Sequence, residues 1–389
     1  MKKILITIIT LVLILPINIV SANEDNGLSL GTSAKSVVLM EASTGEIIYQ
    51  RNANEKLHPA SMTKMMSMLL IMEAIEKGNI KWNDMVTASE NASSMGGSQI
   101  LLETGEKMSV DDLFKGIAIA SGNDAVVALA EKVAGTEESF VKMMNDKAKE
   151  LGLKNTNFKN PHGLDATDHY SSAYDMAMIG KELVKHEKVL EYSSIYEYYL
   201  RDGTDRKTWL VNTNKLVRFY DGVDGLKTGY TKEAGYCLTA TAFKNGMRII
   251  AVVMGEPDSK TRNKEVTELL DYAYAQYDLD TIISSKKVIG KKAVNKGKQK
   301  YAELILKEDA TSLIKKGEKS ENISYEVNID KLNAPIKVGD VVGELTLKKD
   351  NKIIKNINIT VKENIEKANF IDLYLMYIKD IISGEINLK

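Results

Sequence analysis

The pattern of apolar residues along the chain predicts an α+β fold, with an antiparallel sheet flanked by helices and a small C-terminal β-sandwich domain. The globular part begins with two short apolar runs around a Ser-Thr-Gly turn at 36–50, which is typical of a β-hairpin. Helical spacing fills the middle of the chain, and apolar strands follow at 235–243 and 247–254, joined by an Asn-Gly turn. Strands, several helices, strands and a closing helix, in that order, indicate helices packed on an antiparallel sheet.

Net charge and cysteine content narrow the classes of protein that fit. The 389 residues carry a formal net charge of −1, so nothing in the composition indicates a nucleic-acid partner. Cys237 is the only cysteine, which rules out a disulfide within this chain, and its apolar surroundings indicate a buried small side chain. The four histidines lack the spacing of metal ligands, and we expect neither a metal nor another cofactor.

The first 22 residues have the features of a secretory signal peptide. Two lysines precede an apolar run at 4–20, and Ser21-Ala22 supplies small residues for a cleavage site. The run also approaches the length of a short membrane-spanning helix, but Pro16 within it and the Ser-Ala site favour cleavage. We therefore expect an exported protein.

The apolar pattern and the composition also predict the helices and the domain boundaries. A buried helix rich in Met and Leu is expected to begin near Ser61 and to end at Lys77-Gly78. The Lys-rich segment 279–292 is interpreted as a linker. Further helices are predicted at 124–133, 137–151, 172–186 and 263–277. The predicted division is a signal peptide at 1–22, the larger α+β domain at 23–284, the β-sandwich at 285–365 and an amphipathic helix at 366–389.

The C-terminal segment has the pattern of an amphipathic helix. Apolar residues between Phe370 and Ile382 recur at helical spacing, and charged residues lie off that stripe. The segment is too short and too charged to span a bilayer. Two interpretations stay open: a helix on a membrane surface, which would give a peripheral contact through 366–389, or a terminal helix packed on its own protein.

Three short motifs carry the candidate chemistry: Ser-x-x-Lys, Ser-Gly-Asn and Lys-Thr-Gly. Lys-Thr-Gly occurs once, at 227–229, whereas Ser-x-x-Lys begins at Ser61, Ser139, Ser284 and Ser312. Ser139 falls within a predicted helix, and the last two serines fall in polar segments that we expect to be exposed. Ser61 is therefore the candidate nucleophile.

Ser61 is expected at the start of a helix, where backbone amides and the helix dipole favour negative charge. Lys64 follows three residues later on the same helical face and can reach the Ser61 hydroxyl. Burial, together with a nearby cation such as Lys227, would lower the pKa of Lys64. Lys64 could then accept the proton of Ser61 as a general base.

The Ser-Gly-Asn motif is expected in a loop between two helices, facing a cleft. Ser121 would relay a proton to a leaving amine, and Asn123 would hold either the substrate's backbone amide or Lys64. The alternative is that Asn123-Asp124 serves only as a helix N-cap.

The Lys-Thr-Gly motif is expected to open a strand and to bind a carboxylate. Lys227 and Thr228 supply a cation and a hydroxyl, and Gly229 lets a ligand approach the backbone closely. The backbone N–H of Tyr230 and that of Ser61 would form an oxyanion hole.

Together these motifs resemble the low-molecular-mass penicillin-binding proteins of the serine-type D-alanyl-D-alanine carboxypeptidase family, peptidase family S11. The similarity covers nearly the whole chain after the signal peptide, including the trailing β domain and its amphipathic end. The phrases that carry it are Pro59-Ala60-Ser61-Met62-Thr63-Lys64, Ala120-Ser121-Gly122-Asn123-Asp124, Asn160-Pro161-His162-Gly163-Leu164, Lys227-Thr228-Gly229-Tyr230-Thr231 and Glu233-Ala234-Gly235-Tyr236.

The resemblance implies removal of the terminal D-alanine from peptidoglycan stem peptides that end in D-Ala-D-Ala, outside the cytoplasmic membrane and without a cofactor. Ser61 would form the acyl ester, and Lys64 would accept its proton. Arg262 resembles the family's auxiliary carboxylate-binding arginine. Tyr230 stands where some relatives have histidine. The oxyanion hole needs only the backbone N–H of Tyr230, so this difference should adjust the activity without abolishing it. β-Lactam antibiotics would be covalent inhibitors.

Other activities of the same fold stay open. A class A β-lactamase has similar motifs but adds a deacylating Glu, and no convincing Glu-x-x-x-Asn lies between Asn123 and Lys227. Penicillin is therefore expected to acylate Ser61 and to leave slowly. The motifs do not distinguish a carboxypeptidase from an endopeptidase or transpeptidase, and a non-catalytic wall-peptide-binding module is disfavoured because all three motifs are intact.

Overall fold

The computed structural model describes residues 29–382. Its larger part contains the strands β1 Ser36–Glu41, β2 Ile47–Arg51, β3 Met85–Thr87, β4 Lys107–Ser109, β5 Glu197–Leu200, β6 Thr208–Val211, β7 Val223–Thr231, β8 Gly235–Lys244 and β9 Met247–Glu256. The helices of this part are α1 Lys64–Glu76, α2 Glu90–Ser93, α3 Val110–Ala120, α4 Asn123–Ala134, α5 Glu137–Glu150, α6 Ala173–Leu183, α7 Glu187–Ser193, α8 Leu216–Phe219 and α9 Ser259–Gln276.

The central sheet has the strand order β2-β1-β9-β8-β7 and is antiparallel throughout. The hairpin predicted at 36–50 is formed by β1 and β2, and the strands predicted on either side of the Asn-Gly turn are β8 and β9. Helices α6 and α9 pack against β9. The predicted α+β fold, an antiparallel sheet flanked by helices, is therefore confirmed.

Helix α1 is the central helix of the core. Its side chains from Lys64 to Met72 are all buried, and it packs against α4, α5 and α6. A helix that is apolar on every side must be enclosed by other elements. Ser61 lies in a separate 3-10 turn, Ala60–Thr63, directly before this helix. The sequence placed Ser61 in the first turn of the long helix, whereas α1 itself begins at Lys64.

The C-terminal part is a β-rich domain. Its elements are β10 Tyr277–Ile283, β11 Gly290–Asn295, β12 Tyr301–Leu306, β13 Ala310–Lys315, β14 Ile323–Ile329, β15 Leu332–Asn333, β16 Gly343–Lys349, β17 Lys352–Val361 and the helix α10 Phe370–Ile382. Six strands form one sheet in the order β14-β16-β17-β12-β11-β15, and β10 pairs with β13 in a second sheet. Alternating residues of β12 enter the core of this domain.

The segment 279–292, predicted to be a linker, contains most of β10 and the beginning of β11. Strand β10 pairs with β13 from Tyr277 onwards, so backbone hydrogen bonds hold residues that the sequence marks as polar. The linker prediction is wrong because the polarity of its side chains does not show whether a segment forms a strand. Hydrogen bonds to a partner strand can hold a polar segment in a sheet.

Helix α10 presents apolar side chains to solvent. Phe370 is 83% exposed and Ile382 is 81% exposed, and Ile371, Tyr374 and Leu375 are each more than half exposed. These exposures contradict the alternative in which the helix packs on its own protein. In the part of the chain that the structure describes, every helix is too short or too polar to cross a bilayer. The predicted signal peptide at 1–22 lies outside the described residues.

Candidate active site

The three motifs meet at one cleft beside the central sheet. The 3-10 turn, the loop between α3 and α4, strand β7 and the start of α9 each contribute to its walls. The cleft has a volume of about 460 Å³. Its lining includes Ser61, Ser121, Thr228, Gly229, Tyr230 and Arg262. The fold thus brings together residues that are up to 201 positions apart, counting from 61 to 262.

The side-chain nitrogen of Lys64 makes three contacts. It lies 2.9 Å from Ser61 Oγ, 2.6 Å from Asn123 Oδ1 and 2.6 Å from the carbonyl oxygen of His162. A deprotonated amine keeps two hydrogens and one lone pair. Because the oxygens of Asn123 and His162 can only accept, they take the two hydrogens. The lone pair is then left for the hydroxyl proton of Ser61.

Burial lowers the pKa of Lys64 well below its ordinary value of 10.5. The side chain is fully buried, and the charge of Lys227 lowers the pKa further, whereas Asp124 acts in the opposite direction. Desolvation and a neighbouring like charge both disfavour the protonated amine. Lys64 is therefore a better proton acceptor than an exposed lysine, which is the property that the predicted general base requires.

The segment Asn160–Leu164 closes against the turn that carries the nucleophile. Gly163 has a φ of +88°, and a Cβ there would lie 1.9 Å from the carbonyl oxygen of Ala60. Ser67 Oγ donates to the carbonyl oxygen of Pro161 at 2.6 Å, across 94 residues of sequence. Neither the three motifs nor the family resemblance predicts a role for these residues. These residues pack against the turn at 60–63, about 100 residues earlier in the chain, and Gly163 is the only local sign of this close contact.

The third residue of the Ser-x-x-Lys motif, Thr63, is held by His169. The Nδ1 atom of His169 accepts the backbone N–H of Lys159 at 3.0 Å, so the neutral ring carries its proton on Nε2. Nε2 then donates to Thr63 Oγ1 at 2.8 Å. Burial lowers the pKa of His169 to about 4, so the ring stays neutral at physiological pH. Sequence reasoning missed this contact, because no local pattern links the two residues.

Ser121 ends helix α3 in a left-handed conformation with a φ of +63°. Non-glycine residues in this region are uncommon and cluster at functional sites. The Ser121 hydroxyl is buried and makes no hydrogen bond within residues 29–382. A buried hydroxyl without a partner is available to a bound substrate, which fits the predicted proton relay.

Asn123 is the first residue of α4 and not its N-cap. The N-cap is Gly122, and no side chain caps this helix, so the alternative N-cap interpretation of Asn123-Asp124 is wrong. Asn123 Nδ2 donates to the carbonyl oxygen of Gly96 at 2.6 Å, which orients Oδ1 towards Lys64. The buried carboxylate of Asp124 instead accepts backbone N–H groups of the loop between α2 and β4.

The Lys-Thr-Gly motif lies in the second half of β7 rather than at the start of a strand. Lys227 is 1% exposed, so its ammonium group lies behind the wall to which Thr228 contributes. Burial, and secondly the charge of Arg262, lower the pKa of Lys227 to about 7. Thr228 Oγ1 donates to Thr213 Oγ1 at 2.8 Å. Thr213 also lines the cleft, and it was missed because nothing in its local sequence marks it.

Gly229 lies against the backbone of the 3-10 turn. A Cβ at Gly229 would lie 2.8 Å from the carbonyl oxygen of Pro59 and 3.1 Å from Ala60 Cβ. The close approach that the sequence assigned to a ligand is therefore one between β7 and the turn. It places the two N–H groups predicted for the oxyanion hole, those of Ser61 and Tyr230, on adjoining segments.

Two more residues complete the cleft. Arg262 is in the first turns of α9 and donates from Nε and Nη2 to Asn263 Oδ1, at 3.1 and 2.8 Å. Tyr230 is 55% exposed, and its ring lies 4.3 Å from that of Tyr236, centroid to centroid. Arg262 thus offers positive charge to an anion in the cleft, while the two tyrosines form its aromatic edge.

The other three Ser-x-x-Lys serines do not line the cleft. Ser139 lies in the first turn of α5, and Ser284 directly follows β10. Ser312 is fully buried in β13, although its polar sequence context predicts exposure. Residues three apart in a strand face opposite sides, so Lys315 is exposed and cannot serve Ser312.

A buried pair of carboxyl groups, one at the end of β9 and one in α9, predicts a pH-dependent stability. Glu256 is 1% exposed beside Glu265, and burial followed by this neighbour raises the pKa of Glu256 to about 8 from 4.5. The folded protein therefore binds an extra proton between pH 4.5 and 8, and its stability falls as pH rises through this range. Glu256→Gln, which mimics the protonated form, should reduce this fall by roughly 2 to 4 kcal/mol.

Urea unfolding between pH 5 and 8.5 measures this slope. The exposed Glu321 provides the control Glu321→Gln, which should leave the pH dependence of the free energy of unfolding unchanged. An equally steep decline in Glu256→Gln and in the unsubstituted protein would contradict the assignment of the extra proton.

Two sequence profiles match the chain. The profile of the peptidase S11 family, D-alanyl-D-alanine carboxypeptidase, matches residues 21–258. The profile of the penicillin-binding protein 5 C-terminal domain matches residues 277–367. The second match begins where β10 begins, in agreement with the pairing of β10 and β13.

Curated proteins and solved structures give the same relationship. The chain is 55% identical over 343 residues to D-alanyl-D-alanine carboxypeptidase DacF of Bacillus subtilis, covering 88% of each chain. It is 36% identical over 356 residues to D-alanyl-D-alanine carboxypeptidase DacA of Escherichia coli K12, covering 89% of this chain and 87% of the relative. Penicillin-binding protein 5 from Haemophilus influenzae superposes with a TM-score of 0.68 at 34% identity, over 87% of this chain and 99% of that structure.

Proposed function

The chain belongs to the D-alanyl-D-alanine carboxypeptidase family, peptidase family S11, and from this premise we propose a role for each residue in the cleft. The protein is a serine-type D-Ala-D-Ala carboxypeptidase with the penicillin-binding protein fold. Its substrates are peptidoglycan stem peptides that end in D-Ala-D-Ala, and it forms an acyl-enzyme. We infer that Ser61 is the nucleophile, and the hydrogen bond between Ser61 and the buried Lys64 carries this inference.

Substrate binding begins at the terminal carboxylate. Thr228 and Arg262 line the cleft and can bind this carboxylate directly. Lys227 lies behind them and adds positive charge to the same region. With the carboxylate fixed there, the penultimate carbonyl group can lie between Ser61 and β7. The N–H groups of Ser61 and Tyr230 then stabilise the negative charge that develops on the carbonyl oxygen.

Acylation requires one proton transfer to Lys64 and one to the leaving group. Lys64 takes the hydroxyl proton as Ser61 Oγ attacks the penultimate carbonyl carbon. The C–N bond breaks, and the proton that Lys64 took from Ser61 passes through the Ser121 hydroxyl to the departing amine of D-alanine, which leaves Lys64 neutral again. Lys64, Ser121 and Asn123 thus act on one side of the scissile bond. Water then hydrolyses the ester, with Lys64 again able to accept a proton, and Ser61 is regenerated.

β-Lactams enter the same reaction but leave slowly. Penicillin also presents a carboxylate and a reactive amide, so it should acylate Ser61. In the described part of the chain, no Asp or Glu side chain lines the cleft. A class A β-lactamase uses such a Glu for deacylation. We therefore expect a long-lived penicilloyl-enzyme rather than β-lactamase activity.

A labelling experiment tests this function. The unsubstituted protein should form a covalent adduct with a fluorescent penicillin and should release D-alanine from a peptide that ends in D-Ala-D-Ala. Ser61→Ala should do neither, because it lacks the attacking oxygen. Ser139→Ala, at another Ser-x-x-Lys serine, is the control and should behave like the unsubstituted protein. Absence of an adduct on the unsubstituted protein would overturn the assignment.

We propose that the protein acts outside the cytoplasmic membrane after export directed by residues 1–22. Residues 23–284 would form the catalytic domain and 285–365 the core of the C-terminal β domain, although the pairing of β10 supports a boundary nearer 277. The exposed apolar side chains of α10 support peripheral membrane contact through 366–389. A variant ending at Glu366 should fail to sediment with lipid vesicles that bind the longer protein, and equal binding by both would overturn this role.

A further inference from the structure

The loop between α5 and α6 passes beside the nucleophile and carries an exposed apolar side chain. The carbonyl oxygen of His162 contacts Lys64, and two residues later the side chain of Leu164 is 37% exposed. Leu164 and Asn123 both lie next to Gly97. A Cβ at Gly97 would be 3.6 Å from Leu164 Cδ2 and 2.9 Å from Asn123 Nδ2. This part of the loop therefore lies on the side of the cleft that the Ser-Gly-Asn motif forms.

The next residue of the loop, Asp165, is bound to the end of β7. Thr231 Oγ1 donates to Asp165 Oδ1 at 2.9 Å, and Thr231 directly follows Tyr230 in the strand. The Asp165 side chain is 37% exposed, and His58 Nδ1 is 3.8 Å from Oδ1, which is too far for a hydrogen bond. Between residues 29 and 382, no lysine or arginine nitrogen lies within 4.0 Å of this carboxylate. Its negative charge is therefore available to a cation from solvent.

Strand β7 sets the direction of a bound stem peptide. In the proposed binding mode, the terminal carboxylate lies near Thr228 and the penultimate carbonyl group lies at the N–H of Tyr230. The peptide therefore advances along β7 from Thr228 towards Thr231, and the residue before D-Ala-D-Ala lies beyond Tyr230. Strand β7 is the last strand of the five-stranded sheet, so a peptide can lie along its outer edge. The loop residue at that end of the strand is Asp165.

The length of a lysine side chain matches this position. The Asp165 carboxylate contacts the residue that follows Tyr230, which places it within about 10 Å of the Tyr230 N–H. In the substrate, the Cα atom before the penultimate residue is one step of about 3.8 Å away, and a lysine side chain there extends roughly 6 Å further. Its amine can therefore reach Asp165 while the penultimate carbonyl group stays at the oxyanion hole.

The two exposed side chains of the loop complement a side chain with an apolar stem and a cationic end. A lysine packs its methylene groups on apolar surface while its ammonium group stays in water or pairs with a carboxylate. We propose that Asp165 binds the side-chain amine of the residue that precedes D-Ala-D-Ala in the stem peptide, and that Leu164 contacts the methylene groups of that side chain. This proposal rests on the carboxypeptidase function and adds a preference for a diamino acid at one position of the substrate.

Two peptides that differ in one amine test the proposal. They are acetyl-Lys-D-Ala-D-Ala and acetyl-norleucine-D-Ala-D-Ala, in which norleucine has the same unbranched stem without the charge. The unsubstituted protein should have a kcat/KM about threefold to fivefold higher for the lysine peptide, mainly through KM, which is the upper range for a solvent-exposed ion pair. This preference should disappear at about 1 M salt, because salt screens exposed charges.

Asp165→Asn separates the charge of Asp165 from its structural contact. The amide oxygen can still accept the hydrogen bond of Thr231, but the side chain is neutral, so the preference for the lysine peptide should be lost. The kcat/KM for the norleucine peptide and the rate of acylation by penicillin should change by less than about twofold. The control is Asp168→Asn, because Asp168 is exposed in the same loop, and this variant should keep the preference.

The outcomes distinguish the amine site from a structural role and from the proposed function. Equal preference for the lysine peptide in Asp165→Asn and in the unsubstituted protein, or no preference in either, would overturn the amine site. An equal loss with both peptides in Asp165→Asn would also overturn it, because Asp165 would then act only through the position of the loop. A failure of the unsubstituted protein to react with penicillin would instead overturn the proposed function.

Discussion

Lys64→Met is expected to lower the rate of acylation by penicillin by about 10³- to 10⁴-fold, the upper range for loss of a general base. The substitution keeps the length of the buried side chain but removes the amine that contacts Ser61 Oγ. Stopped-flow measurement of adduct formation gives this rate. Adding Ser61→Ala should cause little further loss in turnover, because a nucleophile and its base act as a unit.

Two variants separate the proton transfer from the charge of Lys64 and from folding. Lys64→Arg keeps a cation, but a guanidinium group does not lose its proton at neutral pH, so this variant should also be inactive. Lys181→Met removes a half-buried lysine of α6 outside the cleft and should acylate normally. Thermal unfolding of each variant reports whether it is folded. Acylation of folded Lys64→Met at close to the normal rate would contradict the general-base role.

Gly163→Ala should be the most damaging single methyl group in the loop beside the nucleophile. Its Cβ would lie 1.9 Å from the carbonyl oxygen of Ala60 and 2.4 Å from the carbonyl carbon, so the backbone before Ser61 must move. We expect a loss of about 3 to 5 kcal/mol in the free energy of unfolding, from strain and overpacking together. A displaced nucleophile should also reduce acylation by about 100-fold or more.

Gly135→Ala is the matched control for the backbone strain. Gly135 has a φ of +83°, close to the +88° of Gly163, but nothing lies within 4 Å of its added Cβ. It should therefore lose only about 1 kcal/mol and keep its acylation rate. Urea unfolding and penicillin acylation measure both effects. Equal losses in the two variants would show that the contact with Ala60 has no effect on the nucleophile.

The fold was predictable where the sequence pattern is local. The hairpin of β1 and β2 and the strands β8 and β9 alternate or run apolar between clear turn residues, so their positions could be predicted. The 3-10 turn around Ser61 could not, because it depends on packing against β7 and the loop at 160–164. Strand β10 could not be predicted either, because its pairing partner, β13, lies about 30 residues later.

Some residues of the site could likewise be predicted from sequence, and others could not. Ser61, Ser121 and Lys227 could be selected because their motifs occur in a fixed order with suitable context, and the structure brings all three motifs to one cleft. The hydrogen bond between Thr63 and His169 joins residues 106 positions apart, and nothing in either neighbourhood indicates it. Sequence therefore indicates the candidate reactive side chains, whereas the groups that orient them become visible only when distant segments are packed together.

The contact between Gly229 and the 3-10 turn has a consequence for the reaction rate. No side chain separates the strand that holds one oxyanion donor from the turn that holds the other, so van der Waals contact between backbones sets their spacing. Side-chain rotamer changes cannot widen this spacing. In the oxyanion hole that we propose, the two N–H dipoles are therefore already oriented before substrate arrives, and little reorganisation energy is needed when the oxyanion forms.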